Sequence, residues 1–194
     1  MRPRIVLASA SPRRHELIAQ LGVEFDVLVP DIDESVLAGE DPVSYVRRLA
    51  LEKATAVVVP AGALVIAADT TVDLGGEIFA KPCDADDARR MLRALSARTH
   101  RVHTGVAVRL GGLSVVEVCT TLVTFTPLSA DAIDWYIATG EPFGKAGAYA
   151  VQGAGGVFVQ LVRGSVSNVV GLPLHTLVRL ADELGVQLAS VTSA

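Results

Sequence analysis

Apolar positions recur along this chain at two spacings, about 3.6 residues and about 2, and the local spacing names each element. Ile5-Val6-Leu7-Ala8 is a short apolar run that predicts a buried strand. Ser11 and Pro12 suit the N-cap and first position of a helix whose stripe is Leu17, Ile18 and Leu21 and whose stop is Gly22. Phe25 to Val29 alternates as a strand. Asp41-Pro42 opens a second helix running to about Val57, with Val46, Leu49, Ala50, Ala54 and Val57 as its stripe. Ala63 to Ala68 reads as a fully buried strand ending in Asp69-Thr70-Thr71. Val72 to Leu74 and Glu77 to Phe79 flank Gly75-Gly76 as a hairpin. Asp84 caps a third helix through Leu95, and strands follow over Arg101–Leu110 and Leu113–Phe125 around Gly111-Gly112. Ser129 to Thr139 is a helix stopped by Gly140, Val157 to Val162 a strand, and Pro173 starts a last helix along Leu174, Leu177, Val178, Ala181 and Leu184.

Bulk properties narrow the class. A chain of 194 residues makes one large domain or two small lobes, enough to bury roughly 70% of the unfolded surface. The net charge of −4, with both signs dispersed, argues against a sequence-independent nucleic-acid binder, which needs a basic face. The charge-free runs Ala54–Ala68 and Ala146–Val162 carry Gly or Pro and are shorter than a membrane span, so no membrane partner is expected. The apolar run before Pro12 is too short for a signal-peptide core, which predicts a cytoplasmic protein. Cys83 and Cys119 fit neither a zinc nor a redox motif.

Candidate chemistry sits at the element ends. Arg13 and Arg14 fall in the first turn of the first helix, where the dipole is already positive. They read either as a solvated basic turn or, with Ser9 and the free N–H groups, as a phosphate site. Asp31, Asp33 and Glu34 read either as a solvated turn or as ligands for a hard divalent cation. Lys53 lies in the middle of the apolar stripe of the second helix, so it must snorkel out or meet an anion in a cleft. Asp69 ends a central strand, the place where open α/β sheets put their active sites, unless it merely caps a loop. The hairpin register sets Leu74 against Glu77; counted back, it sets Thr70 against Lys81 and brings Lys81 beside Asp69. His100 and His103, three apart on a strand, point to opposite faces and cannot share an ion. Gly144 to Gly156 is a glycine-rich loop but no Walker A motif, since the spacing before Lys145 is wrong and no Ser or Thr follows it. It reads either as a connector or as a pocket wall in which Tyr149 and Gln152 recognise a base edge.

Cations for several phosphates beside carboxylates for a metal describe a nucleoside triphosphate site. The motifs LASASPRR, IDES, YVRRLALEKA, AADTTV, KP after the hairpin, THRVHTGV, GKAGAYAVQG and SNVVGLP, in that order over nearly the whole chain, resemble the Maf family of nucleoside triphosphate pyrophosphatases. The resemblance implies one domain over residues 1–194 with an elongated α/β fold. A mixed β-sheet would be flanked by helices, in two lobes with a central cleft, as in the inosine triphosphatase architecture. It also implies a cytoplasmic homodimer that takes a nucleoside triphosphate and a divalent metal, Mg²⁺ or Mn²⁺. By motif, Asp69 matches the family's proton acceptor, while Ser9, Arg13, Arg14, Glu34, Lys53 and Lys81 match its polar cleft residues. Arg13, Thr70 and Gln152 match the positions that separate substrate branches, and GKAGAYAVQG is similar to the branch acting on dTTP and UTP. On this reading Asp69, Lys53 and Lys81 are catalytic, Glu34 and Asp69 hold the metal, and Ser9, Arg13, Arg14, Thr70 and Gln152 bind substrate. The β and γ phosphates would lie on Arg13 and Arg14. Ala67 departs from the Gly that many members carry, which adds a methyl near the site. Two other readings stay open: a pyrophosphatase of broad or modified-nucleotide preference, and a nucleotide-binding regulator of cell division without turnover.

Overall fold

The computed structural model describes residues 3–189. Its strands are β1 (Ile5–Leu7), β2 (Asp26–Val27), β3 (Leu64–Leu74), β4 (Glu77–Phe79), β5 (Thr99–Leu110), β6 (Leu113–Phe125) and β7 (Val159–Arg163). Its helices are α1 (Pro12–Ala19), α2 (Pro42–Ala56), α3 (Ala85–Leu95), α4 (Ala130–Ala138), α5 (Val166–Val170) and α6 (Leu174–Glu183). The strands form one seven-stranded mixed sheet in the order β2-β1-β3-β5-β6-β7, with β4 also paired to β3.

The central strand explains the architecture. On one side β3 is paired with β5 along Leu64 to Asp73. On the other side it has two partners in succession, parallel β1 at Leu64–Ile66 and antiparallel β4 at Val72–Leu74. Between them the edge of β3 has no neighbouring strand, and Asp69 lies in the middle of that notch.

Alternation along β3 sorts the core. Val65 and Ala67, with Val6, Ala8 and Ala107, face α2. Leu64, Ile66 and Ala68 face the opposite way and pack with Leu17 and Ile18 of α1 and Leu177 and Ala181 of α6. Val72, on that same face, belongs to a second cluster with Leu92 of α3, Tyr136 of α4 and Phe125. Two apolar lobes therefore share one face of the sheet, and the divide falls at Thr70, between Ala68 and Val72.

The helix facing the other side comes unusually close. A Cβ built on Gly105, the β5 residue opposite Asp69, would stand 2.2 Å from the Val46 carbonyl oxygen of α2. A strand glycine here marks a close backbone approach, and Lys53 lies two helical turns beyond Val46.

Several expectations change. β3 runs on through Asp69 to Leu74, because antiparallel β5 stays paired long after β1 has ended. Leu74 does face Glu77, but the β3–β4 ladder ends at Val72–Phe79. Beyond it the Ala80 carbonyl accepts from Gly147 N–H at 3.2 Å, so Lys81 is not carried across from Thr70. Ser11 occupies the N-cap of α1 without a capping bond from its hydroxyl. The Ala67 methyl packs in the α2 core and does not line the cavity described below. β2 keeps only two of the five alternating residues, and α5 was not anticipated.

Gly105→Ala should lower stability, since the clash is with backbone and only a shift of α2 relieves it. Overpacking costs about 1–3 kcal/mol, or a Tm lower by about 3–10 °C for a chain of this length. Thermal denaturation followed by circular dichroism checks this; an unchanged Tm would show that α2 can slide off the sheet freely.

Candidate active site

Lys53 is the centre of the site. Its position in the apolar stripe of α2 aims it at the sheet, and the side chain is only 8% exposed. Its Nζ lies 2.7 Å from Asp69 Oδ1 and 2.7 Å from Glu34 Oε1. Asp69 reaches it because odd-numbered residues of this part of β3 face α2. Glu34 reaches it from the acidic loop, which the Tyr45 hydroxyl pins by donating to the Glu34 carbonyl at 2.9 Å. Lys81 adds a looser contact, 3.7 Å from Glu34 Oε2, from a side chain that is 65% exposed. Lys81 thus meets Glu34, where the sequence register had placed it beside Asp69.

These contacts set the local electrostatics. Burial alone pushes the Glu34 carboxyl up, but the bond from Lys53 and the charges of Lys53, Lys81 and Arg14 outweigh it and hold the pKa below the ordinary glutamate value. Burial, with the charges of Asp69 and Glu34, pushes the Tyr45 phenol up to about 12. The rest of the acidic loop stays out of the site: Asp33 accepts from the Ser35 N–H and hydroxyl of its own turn.

The two arginines of α1 have different duties. Arg14 donates to the Gly171 carbonyl at 2.8 Å, to Thr70 Oγ1 at 3.0 Å and to Ser9 Oγ at 3.3 Å. Burial lowers its guanidinium pKa, against the opposing pull of Asp69 and Glu34. Thr70 Oγ1 continues to Thr104 Oγ1 at 3.0 Å, and Thr104 donates to the Asn168 carbonyl at 2.9 Å. The Asn168 amide in turn donates to the Val102 carbonyl and to Thr121 Oγ1. This buried polar chain fills the divide between the two apolar lobes. Arg13 makes no hydrogen bond or ion pair with its side chain among the described residues, and it lines the cavity.

Ser9, Arg13, Arg14, Glu34, Lys53, Asp69, Thr70 and Lys81 all line one cavity of about 590 Å³. Gln152 is exposed and does not line it. Tyr149 does, but its hydroxyl lies 2.8 Å from His100 Nε2, so the ring can form wall while the hydroxyl is engaged. Burial lowers that imidazole to about 4 and raises the Tyr149 phenol. His103 goes to separate partners, Thr120 and Asp73. The cavity is lined by Arg13, Arg14, Lys53, Lys81 and Lys145 against Glu16, Glu34 and Asp69, a net positive lining on a chain of net charge −4. That balance suits a polyanionic ligand. Sequence reasoning missed Lys145, Thr104, Asn168 and Gly105; the glycine inside a strand was the one signal that a reader could have used.

The donor set also bears on a metal. Among the described residues no group of three or more His, Cys, Asp or Glu side chains is placed to cage an ion. Two hard carboxylates, Glu34 and Asp69, nevertheless converge on one point at Lys53. Mg²⁺ is commonly held by one or two carboxylates completed by water and substrate phosphates, so these residues fit it.

Comparison with known proteins places the geometry. Residues 4–184 match the family described as Maf-like protein. A protein of Anaeromyxobacter dehalogenans named dTTP/UTP pyrophosphatase is 57% identical over 192 residues, covering 97% of each chain. Its namesakes in Myxococcus xanthus and Symbiobacterium thermophilum are 54% and 46% identical, covering 95% and 94% of this chain and 94% of each of theirs. Among solved structures, the Staphylococcus aureus Ham1 protein aligns with a TM-score of 0.47 and 17% identity, over 63% of this chain and 71% of that one.

Lys53→Met should raise the Glu34 pKa, because it removes the bond and the nearest charge that lower it. A depressed carboxylate contributes stability that is present above its unfolded pKa and lost as pH falls through the folded value. The variant should therefore lose less stability than the parent between neutral pH and the acid side of that window. Carbon-13 NMR titration of labelled glutamate carboxyls checks the shift, and an unmoved Glu34 would show that the contact is absent in solution.

Proposed function

This chain belongs to the Maf family, and we propose that it is a nucleoside triphosphate pyrophosphatase acting on dTTP and UTP. It yields the nucleoside monophosphate and pyrophosphate. The observation that carries the reading is the Lys53 ammonium bridging Asp69 and Glu34 inside a cavity of net positive lining. The names of the relatives in Anaeromyxobacter and Myxococcus support the choice of substrate.

The chemistry follows from the placement. Water attacks the α phosphorus, the bond to the α–β bridging oxygen breaks, and pyrophosphate leaves with the bonding electron pair. Asp69 accepts the proton of the attacking water. Its Oδ1 is fixed by Lys53 at 2.7 Å, so the other oxygen has a set direction toward the cavity. Lys53 and Lys81 face the negative charge that grows on the bridging oxygen. Glu34 holds both lysines, at 2.7 and 3.7 Å, and so keeps them on the same side of the substrate. Glu34 and Asp69 would hold a Mg²⁺ or Mn²⁺ ion, which supplies Lewis-acid polarisation of a phosphoryl oxygen when bound. Thr70 is already tied to Arg14, so its influence on base choice runs through the wall it holds.

The same reading makes residues 1–194 one functional domain, working as a cytoplasmic homodimer without nucleic acid. No helix among the described residues is long and apolar enough to cross a membrane.

Asp69→Asn should cut turnover by at least about 10²–10⁴-fold, the range for a lost general base, while nucleotide binding persists. Chromatography of the products from a nucleotide panel, with Mg²⁺ and with Mn²⁺, checks both rate and preference. Near-parental rates in the variant would remove Asp69 from its role, and equal rates on all triphosphates would remove the preference for dTTP and UTP.

A further inference from the structure

Arg14 is spent on the protein. Its three hydrogen bonds to Gly171, Thr70 and Ser9 join α1, β3 and the turn after α5, and burial surrounds it. It is a strut between the lobes, with three of its five N–H donors engaged while it still lines the cavity.

A different cation stands in the cavity. Lys145 projects from the loop after α4, a segment far from α1 in sequence, and lines the same cavity as Arg13. Its Nζ donates to the Phe143 carbonyl at 3.2 Å. Burial lowers its pKa, and the positive charge of Arg13 lowers it further against the opposing pull of Glu141. Glu141 also feels Arg13. Glu141 is held by the Tyr136 hydroxyl and by the Ala154 and Gly155 N–H groups, and it makes no ion pair with either cation. In addition, the first turn of α1 lacks a side-chain cap. The cavity thus has two charge clusters. Lys53 and Lys81 are matched with Asp69 and Glu34, whereas neither Arg13 nor Lys145 makes an ion pair among the described residues.

We propose that Arg13 and Lys145 together form the subsite for the departing pyrophosphate, with Lys145 a substrate-binding residue and Arg14 a positioning residue for Ser9 and Thr70. The assignment rests on the pyrophosphatase reading for the identity of the anion. The reacting α phosphorus lies at Asp69, and the terminal phosphates extend toward α1 and the Lys145 loop. A substrate lacking those phosphates leaves the cation pair unmatched, so the subsite discriminates by phosphate number and leaves the base to other walls.

The test is calorimetric titration of inorganic pyrophosphate and, separately, UMP into the parent, Lys145→Met, Lys145→Arg and Arg13→Met, beside a steady-state assay with UTP. A charge-assisted hydrogen bond is worth enough for a loss of about tenfold to a hundredfold. Lys145→Met and Arg13→Met should each weaken pyrophosphate binding by that factor and raise KM for UTP in step. UMP binding should stay within about threefold, and Lys145→Arg should restore most of the loss. Pyrophosphate binding equal in the parent and Lys145→Met would overturn the subsite, as would parallel losses for pyrophosphate and UMP. A parent that releases no pyrophosphate from UTP would instead defeat the pyrophosphatase reading; the titrations would still decide whether Arg13 and Lys145 bind the anion.

Discussion

One ammonium group holds two carboxylates from different parts of the chain, and the surrounding structure is arranged to permit it. Lys53 and Asp69 are both more than nine-tenths buried as side chains, at 8% and 9% exposure. Taking two charges out of water is costly, and a buried pair broken by loss of one member typically destabilises by about 3–5 kcal/mol. Such a pair survives only where geometry is tight. Here tightness comes from small residues: Ala8, Ala50, Ala54, Ala67 and Ala107 form the α2 interface, and Gly105 admits the Val46 carbonyl. A bulkier interface would lift α2, and Lys53 would withdraw from Asp69. The apparently plain packing of α2 on the sheet is thus what sets the Lys53–Asp69 distance.

The second constraint is the notch in β3. A strand with continuous neighbours on both sides has its backbone covered and gives a ligand no way in. β1 stops after Leu7, and β4 begins only opposite Val72, so the intervening edge opens to the cavity. Adjacent residues in the notch then serve opposite faces. Asp69 turns toward α2 and the lysine; Thr70 turns to the divide between the lobes and meets Arg14. The chain from half-buried Arg14 and Thr70 to buried Thr104, Asn168 and Thr121 is nearly fully bonded, with Asn168 Oδ1 the unpartnered exception. A satisfied polar network of this kind fixes relative placement more sharply than apolar contact does, because slippage leaves donors unpaired. It keeps the two lobes in register on either side of the substrate.

Much of this was legible along the chain, and the failures have a common cause. The stripe that buries Val46, Leu49, Ala50 and Ala54 placed Lys53 against the sheet, since a 3.6-residue period fixes direction without knowledge of the partner. The Asp41, Asp84 and Ser129 caps were readable for the same reason, being local. Position along β3 was misread because Asp69 is a poor strand former, while its pairing with Gly105 depends on a strand some 35 residues later. Lys81 was misplaced by extending a ladder that stops, and nothing in Ala80-Lys81-Pro82 shows that the Ala80 carbonyl will turn to Gly147. Arg13 and Arg14 look equivalent in sequence. Only the arrival of Gly171 and Thr70 at the second one separates them.

That separation bears on how a site can be both preformed and charged. If all five cavity cations were unmatched, their mutual repulsion in a partly buried space would weigh against folding. Two are neutralised by Glu34 and Asp69, and a third, Arg14, is hydrogen-bonded to Gly171, Ser9 and Thr70 and feels the charge of those carboxylates. The remaining repulsion is confined to Arg13 and Lys145, which come from segments that are partly exposed and can relax. On the proposed reading, the Lys53 end of the cavity is tied by ion pairs before substrate arrives, while the Arg13–Lys145 end gains the most when substrate enters. Binding energy from phosphates remote from the scissile bond is then available to hold the α phosphorus against Asp69, which is where a hydrolase needs it.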